Sequence, residues 1–263
     1  MLDQEKLDKL SSELSDKYQN SQPYNHIYID DFFENDSLRE IVKCFPSKNE
    51  IDFYKYDNPL EKKLATDQIN KLPKQISNLL YELNTPKFLL FLEKITGING
   101  LIPDPYFRGG GIHQIERGGK LDIHIDFNIH PKLKLKRRLN VIIFLNENWK
   151  EEWNGDFQVW SGHKVGDEHI LDECKNKIFP IFNRLVIFST SENSYHGHPE
   201  ELNCPEDVTR KSIALYYYTS SEVTDNQHST TFIKLPNNED NLDDLRKKRN
   251  QGRLSTNIKT DLI

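Results

Sequence analysis

The stretch Asp122-Ile123-His124-Ile125-Asp126 sets an imidazole and a carboxylate two residues apart. Side chains alternate along an extended strand, so His124 and Asp126 share one face while Ile123, Ile125 and Phe127 take the other. An imidazole beside a carboxylate on a rigid element makes two-thirds of a facial metal site. A second imidazole would complete the two-His, one-carboxylate set that leaves the opposite positions of a non-haem Fe(II) open. His-x-Asp alone is a common pair, so the case rests on what else the chain supplies. Tyr195-His196-Gly197-His198-Pro199 offers two imidazoles, and spacing alone does not choose between them. Arg210 opens a strand-like run in which Arg210, Ser212, Ala214 and Tyr216 share a face. A guanidinium fork and a hydroxyl beside a small residue suit a buried carboxylate, which Arg holds in bidentate fashion. A dicarboxylate could chelate a metal at one end and pair with Arg210 at the other.

These residues need rigid elements to position them. Before Leu101 the pattern is largely helical. Leu2, Leu7, Leu10 and Leu14 predict a short amphipathic helix over Leu2 to about Tyr18. A strand at Asn25–Asp30 precedes a helix with Leu38, Ile41, Val42 and Phe45 as its stripe, capped by Asp36 or Ser37 and ended by Pro46. Ser47–Glu61 reads as a surface loop, Leu64–Leu83 as a helix, and Lys87–Thr96 as a second helix stopped by Gly97. From Leu101 the character turns to β. Strand-like runs are Gly111–Glu116, Lys120–Phe127, Arg138–Leu145, Gly155–Trp160, Lys177–Pro180, Arg184–Ser189 and Arg210–Thr219. Short strands with turn signals and no long helix between them argue for a sandwich or jelly roll and against a parallel α/β sheet.

Composition narrows the class. At 263 residues and 36% hydrophobic, the chain can bury a sizeable core. A net charge of −6 argues against nucleic-acid binding, which needs a basic surface. The apolar runs Phe88–Leu92 and Val141–Leu145 fall far short of the roughly 18–20 residues that span a bilayer. The N-terminus shows no apolar signal region, and Cys44, Cys174 and Cys204 are odd in number and scattered. They read as reduced thiols of a cytoplasmic protein.

Taken in order, the motifs resemble the 2-oxoglutarate and Fe(II)-dependent dioxygenases of the prolyl 4-hydroxylase type. They are Gly109–Ile115, Leu121–Asn128, Arg137-Arg138-Leu139-Asn140, Leu145-Asn146-x-x-Trp149, Phe182–Phe188, Tyr195–Pro199 with Cys204-Pro205, and Arg210–Tyr218. The match covers about Gly109 to Thr219. It implies a double-stranded β-helix (jelly-roll) core, mainly β with supporting N-terminal helices. It also implies Fe(II), with 2-oxoglutarate and O₂ as co-substrates. His124, Asp126 and His196 match the family's metal ligands, and Arg210 its co-substrate base with Ser212 as helper. Gln114 and Asn140 fall where relatives place polar groups near the co-substrate. Phe144 stands where some relatives carry a co-substrate-binding Tyr, so other groups must finish that pocket. Ser47–Glu61 is the candidate for the family's mobile loop. Asp126 also points to hydroxylation, because related halogenases have a small residue in its place.

The expected organisation is an N-terminal helical extension (1–22), a dioxygenase domain (23–220, with helical support 23–100 and jelly-roll core 101–220), and a polar tail (221–263) in which Asp240–Arg253 has a helical pattern. The expected activity is hydroxylation of an unactivated C–H bond of a prolyl residue in a protein or peptide, releasing succinate and CO₂. Alternatives are a hydroxylase of a small metabolite, such as a free amino acid, and a non-catalytic metal-binding jelly roll. Bland readings accompany the rest. His113 is a pocket-wall or core residue, and His130, His163, His169 and His228 are exposed in loops. Cys204 is a buried thiol. Trp149, Trp153 and Trp160 belong to the core. Lys132–Arg138 is a solvated strand edge, or else a charged rim for substrate.

Overall fold

The computed structural model describes residues 1–166 and 168–220. The expected tail, its Asp240–Arg253 helix and His228 lie outside the described residues. The chain begins with helix α1 (Gln4–Gln19), strand β1 (His26–Ile29) and helix α2 (Asn35–Lys43). Strands β2 (Tyr54–Asn58) and β3 (Glu61–Thr66) precede helices α3 (Lys74–Glu82) and α4 (Pro86–Thr96). Then come β4 (Ile102–Pro103), β5 (Gly111–Ile115), β6 (Lys120–His124), β7 (Lys136–Phe144), β8 (Phe157–Val165), β9 (Glu168–Ile178), β10 (Arg184–Ser189), β11 (Tyr195–His198) and β12 (Arg210–Thr219). The strands hydrogen-bond in the order β1-β10-β7-β12-β5-β3-β6-β11-β8-β9, with β2 on β3 and β4 on β12. All the named pairs are antiparallel, as in a double-stranded β-helix.

Strands β7, β10 and β12 carry the architecture because both their faces are covered. One face, with Leu139, Val141, Ile143, Leu185, Ile187, Ile213, Leu215 and Tyr217, packs on the helices in a single core. The helices answer with Leu7 and Tyr18 of α1, Leu38 and Ile41 of α2, Ile76, Leu79 and Leu80 of α3, and Phe88, Phe91, Leu92 and Ile95 of α4. Tyr217 Oη donates to Leu83 O at 2.8 Å, which satisfies the one polar atom that this burial would strand. The other face of these strands looks into the barrel. Helix α1 shares the common core, and Tyr18 Oη meets Ser189 Oγ at 2.8 Å. Among the described residues no helix is long and apolar enough to cross a membrane.

Several elements differ from expectation for local reasons. Helix α2 is capped by Glu34, whose carboxylate accepts from the Asp36 and Ser37 amides, and not by Asp36 or Ser37 themselves. Ser47–Glu61 is not a plain loop, because β2 lies within it and pairs with β3 as a hairpin. The expected helix Leu64–Leu83 begins only at Lys74, after Pro73. Its first residues are strand, because Leu64, Ala65 and Thr66 pair with Gln114, His113 and Ile112 of β5. Strand β9 was legible only at its C-terminal end. Apart from half-buried Cys174 it is exposed along Glu168–Lys177, so no alternation of apolar and polar residues marks it.

Candidate metal and co-substrate site

Strand pairing brings the site together. His196 on β11 stands directly opposite His124 on β6, and the two rings lie 4.5 Å apart between centroids. This close approach requires Gly197, where a Cβ would meet the Leu121 and Asp122 carbonyl oxygens at 2.7 and 2.8 Å. Asp126 lies just past the end of β6. Its Oδ2 is 3.3 Å from His196 Nε2, and its Oδ1 is 3.9 Å from His124 Nε2. One ligand atom from each of His124, Asp126 and His196 lies within 4.8 Å of the others. Bonds of about 2.0–2.2 Å to a first-row divalent ion put neighbouring ligand atoms about 3 Å apart, so small side-chain adjustments suffice to close on one.

The ring nitrogens are already assigned by geometry. His124 Nδ1 faces the Asp122 carbonyl and His196 Nδ1 the Ser194 carbonyl, each at 2.8 Å. A carbonyl only accepts, so Nδ1 carries the proton and Nε2 keeps its lone pair for a metal. Burial first, and then His196, lowers the His124 pKa to about 4, so the ring is neutral at pH 7. For Asp126, burial would raise the carboxyl. Arg137, then His196 and His124, outweigh it and hold the group well below the usual range.

Arg137 corrects an expectation. Lys132, Lys134 and Lys136 of the basic run are exposed, but the Arg137 side chain is 1% exposed. A β-bulge explains this. Tyr217 pairs with Leu139 and Tyr218 with Arg137, so Arg138 is an extra residue and the alternation of β7 shifts there. Arg137 is thereby turned onto the Asn140 face, where its Nη2 lies 3.0 Å from Asp126 Oδ2 and its Nε donates to Asn140 Oδ1 at 2.8 Å. The guanidinium also lies 3.5 Å from the Tyr216 ring centroid and 4.5 Å from that of Phe127. Asn140 Nδ2 donates to Asp126 Oδ2 at 2.6 Å. Its amide therefore steadies the carboxylate, and Asn140 also lines the cavity behind the triad.

Behind the triad lies a cavity of about 100 Å³. Arg210, Ser212, Ala214 and Tyr216 of β12 all line it, as alternation required, and Ile142, Phe144 and Phe157 form apolar wall. Gln114 does not line it. Strand β5 turns His113 and Ile115 to the cavity, and Gln114 Nε2 donates to Thr209 Oγ1 at 3.0 Å. This corrects its expected role next to the co-substrate. His130 is likewise not an exposed loop residue. It is 1% exposed, and its Nδ1 accepts from the Lys132 and Leu133 amides.

Arg210 tests whether an organic dianion fits. It is 5% exposed, and its Nε donates to Gly155 O at 2.8 Å. No carboxylate pairs with it among the described residues, and Asp156 acts on it only from beyond ion-pair distance. Burial lowers its pKa to about 10, which leaves it charged at pH 7. A buried cation without a counter-ion is costly, so this pocket is built to receive an anion. Gly155 (φ +88°) makes the room, since a Cβ there would stand 3.0 Å from Arg210 Cδ and 2.7 Å from Leu202 Cδ2. The donor set at the triad and the unpaired guanidinium together fit a divalent metal and a dicarboxylate.

Residues 110–218 match the family model of the 2OG-Fe(II) oxygenase superfamily. This stretch is a 2OG-Fe(II) oxygenase domain. Its family works with Fe(II) and 2-oxoglutarate. No curated protein matches the chain by sequence. The fold is similar to that of a prolyl-4-hydroxylase from Pseudomonas putida, at 12% identity and TM-score 0.52, covering 80% of this chain and 99% of that one. It is similar to a prolyl hydroxylase from Trichoplax adhaerens, solved in complex with a hypoxia inducible factor oxygen degradation domain peptide fragment, at 16% identity and TM-score 0.51, covering 81% and 91%. It is also similar to the epimerase SnoN, solved with Fe3+, alpha ketoglutarate and nogalamycin RO, at 10% identity and TM-score 0.54, covering 81% and 84%. At these identities the likeness is one of fold.

Two expected results arise from the oxygenase site. Arg137→Met keeps volume and removes charge. It strands the Asp126 carboxylate, a loss of about 3–5 kcal/mol for a broken buried pair. At roughly 2–4 °C per kcal/mol for a domain this size, the metal-free variant should melt some 6–20 °C lower. A divalent metal should stabilise the variant more than the wild type, because the ion replaces the missing cation. Equal melting points of the two metal-free proteins would refute the pairing. The second result concerns His113. Burial, and then Lys63, lowers its pKa to about 3. Between its ordinary value of about 6.5 and about 3 the unfolded chain binds a proton that the native chain refuses, so stability must fall as pH falls through that window. Thermal melts of the metal-free protein from pH 7 to pH 4 should show this fall, and His113→Gln should reduce its slope. Coincident slopes would mean that His113 is not held neutral.

Proposed function

We propose that this oxygenase hydroxylates a prolyl residue in a protein or peptide, with His124, Asp126 and His196 holding Fe(II) and Arg210 and Ser212 holding the far carboxylate of 2-oxoglutarate. The observation that carries the substrate reading is a cleft of about 480 Å³ that shares Lys63 and His113 with the metal cavity. Tyr54 and Tyr56 of the β2–β3 hairpin, with Phe127 and Ile129, line it and are 37–43% exposed. Such a cleft, open to solvent and walled by large apolar side chains, admits one residue while the rest of a peptide stays outside.

The residues divide the work. When bound, Fe(II) and 2-oxoglutarate supply O₂-dependent oxidation in which the co-substrate becomes succinate and CO₂ and one oxygen enters a C–H bond. His124 and His196 present Nε2 with the proton parked on Nδ1. Arg137 and Asn140 hold Asp126 Oδ2, which orients the carboxylate. Ile142, Phe144 and Phe157 keep water from the co-substrate chamber. Tyr54, Tyr56 and Phe127 would steer substrate toward the triad. We further place the protein in the cytoplasm on its three free thiols, Cys44, Cys174 and Cys204.

The test is anaerobic loading with Fe(II) and 2-oxoglutarate, followed by succinate release in air against proline-containing peptides, free proline and other free amino acids. Peptide-dependent succinate, with a matching mass gain of one oxygen on proline, is expected. Stimulation by a free amino acid and by none of the peptides would overturn the prolyl reading in favour of a small metabolite.

A further inference from the structure

Beside Arg210 the same cavity holds a second polar side chain that the metal site does not use. His198 is 4% exposed, and it lines the cavity together with Arg210, Ser212 and Phe144. Both of its ring nitrogens are buried and without a hydrogen-bond partner among the described residues. A buried polar group left in that state costs about 1–3 kcal/mol, so a fold that keeps it has a partner for it in some bound state. The backbone aims it there. His196 pairs with His124 but His198 pairs with Leu121, so β6 bulges between the two pairs while β11 runs on regularly. His196 and His198 therefore point to the same side, one at the triad and the other deeper in the chamber. Leu121 lines the chamber as well, as the bulge requires.

The opposite wall explains why a histidine is useful. Phe144 lies under the Arg210 guanidinium, 4.8 Å from its carbon to the ring centroid, and contributes no hydroxyl. A carboxylate seated on Arg210 would have one apolar side unless another wall donates. A neutral imidazole can donate one N–H to it without adding a second buried charge beside the guanidinium.

We propose that His198 is a second anchor for the distal carboxylate of the co-substrate, donating a ring N–H to the oxygen that Arg210 does not fully satisfy. It thereby makes the site select a dicarboxylic 2-oxo acid over a monocarboxylic one. The inference rests on the reading that Arg210 binds 2-oxoglutarate.

The experiment titrates Fe(II)-loaded protein under nitrogen with 2-oxoglutarate, and separately with 2-oxovalerate, which has the same carbon chain length without the distal carboxylate. The metal-to-ligand charge-transfer band is the readout. His198→Leu and His198→Phe should raise the 2-oxoglutarate midpoint roughly 10- to 100-fold, the loss of one hydrogen bond to a charged group. The 2-oxovalerate midpoint should move less than about twofold, and metal content should stay at the wild-type level. His198→Gln, which restores an N–H donor, should recover most of the 2-oxoglutarate affinity. Two hydrophobic replacements of different size keep the test intact if one of them misfolds. Equal shifts for both acids would mean a merely structural role for His198, and an unchanged 2-oxoglutarate midpoint would mean no contact at all. Either result overturns the proposal. Arg210→Ala separates this from the parent reading. If Arg210→Ala shifts the 2-oxoglutarate midpoint and His198→Leu does not, only the His198 inference fails. If neither moves it, the assignment of the pocket to the co-substrate fails.

Discussion

Arg210→Ala should weaken 2-oxoglutarate binding by roughly 30-fold to several thousand-fold while Fe(II) binding barely changes. Removing one partner of a buried, hydrogen-bonded charge pair costs about 2–5 kcal/mol, at about 1.4 kcal/mol per factor of ten. The wide range reflects how much water the vacated pocket admits. Arg210 stands on β12 across the chamber from the triad and has no carboxylate partner among the described residues, so its removal leaves the metal ligands untouched. Arg210→Lys should fall between, since it keeps charge but loses the planar fork and the Nε contact to Gly155 O. Ser212→Ala should cost less, about 0.5–1.5 kcal/mol for one net hydrogen bond. Titration of the charge-transfer band under nitrogen reads all three. An unchanged midpoint in Arg210→Ala would mean that the co-substrate sits elsewhere, or that the dianion is not 2-oxoglutarate.

The second large effect is on the metal itself. His124→Ala and Asp126→Ala should each lose most of the Fe(II) affinity and retain the fold, and His196→Ala should do the same. The core that holds the barrel together lies between the strands and α1–α4, and none of the three residues belongs to it. Metal analysis of the purified variants, with far-ultraviolet circular dichroism as the fold control, decides the matter. Full iron occupancy in any of the three would remove that residue from the ligand set. The neighbouring imidazole gives a sharp contrast, because His198→Ala should keep its iron and lose co-substrate affinity. Asp126→Ala carries one further consequence. It leaves Arg137 buried, 1% exposed, without its carboxylate. The metal-free variant should therefore melt below the wild type, even though a ligand, and not a core residue, was removed.

What could be read from the chain alone was whatever depends on short-range periodicity. Alternation along Arg210–Thr219 correctly separated Arg210, Ser212, Ala214 and Tyr216 on the cavity side from Ile213, Leu215 and Tyr217 on the helix side. That regular strand is flanked on both sides by antiparallel partners, so nothing disturbs its period of two. Helix α4, with Pro86 at its start and Gly97 in the left-handed region (φ 72°) at its end, was equally plain. The pairing of His124 with an imidazole about seventy residues later was reached through motif order, since no local rule links β6 to β11. Tertiary structure alone decided the rest. Two β-bulges break the period of two where it matters. One turns Arg137 from an expected solvent edge onto Asp126, and the other, in β6, turns Leu121, the partner of His198, into the chamber. A bulge is an extra residue accommodated by the partner strand, so its position depends on pairing between distant segments and leaves no mark in either one. For the same reason Leu64–Thr66, whose pattern suits a helix, became a strand whose Ala65 and Thr66 line the cleft next to the metal cavity, because β5 offers it hydrogen bonds that no local pattern reveals.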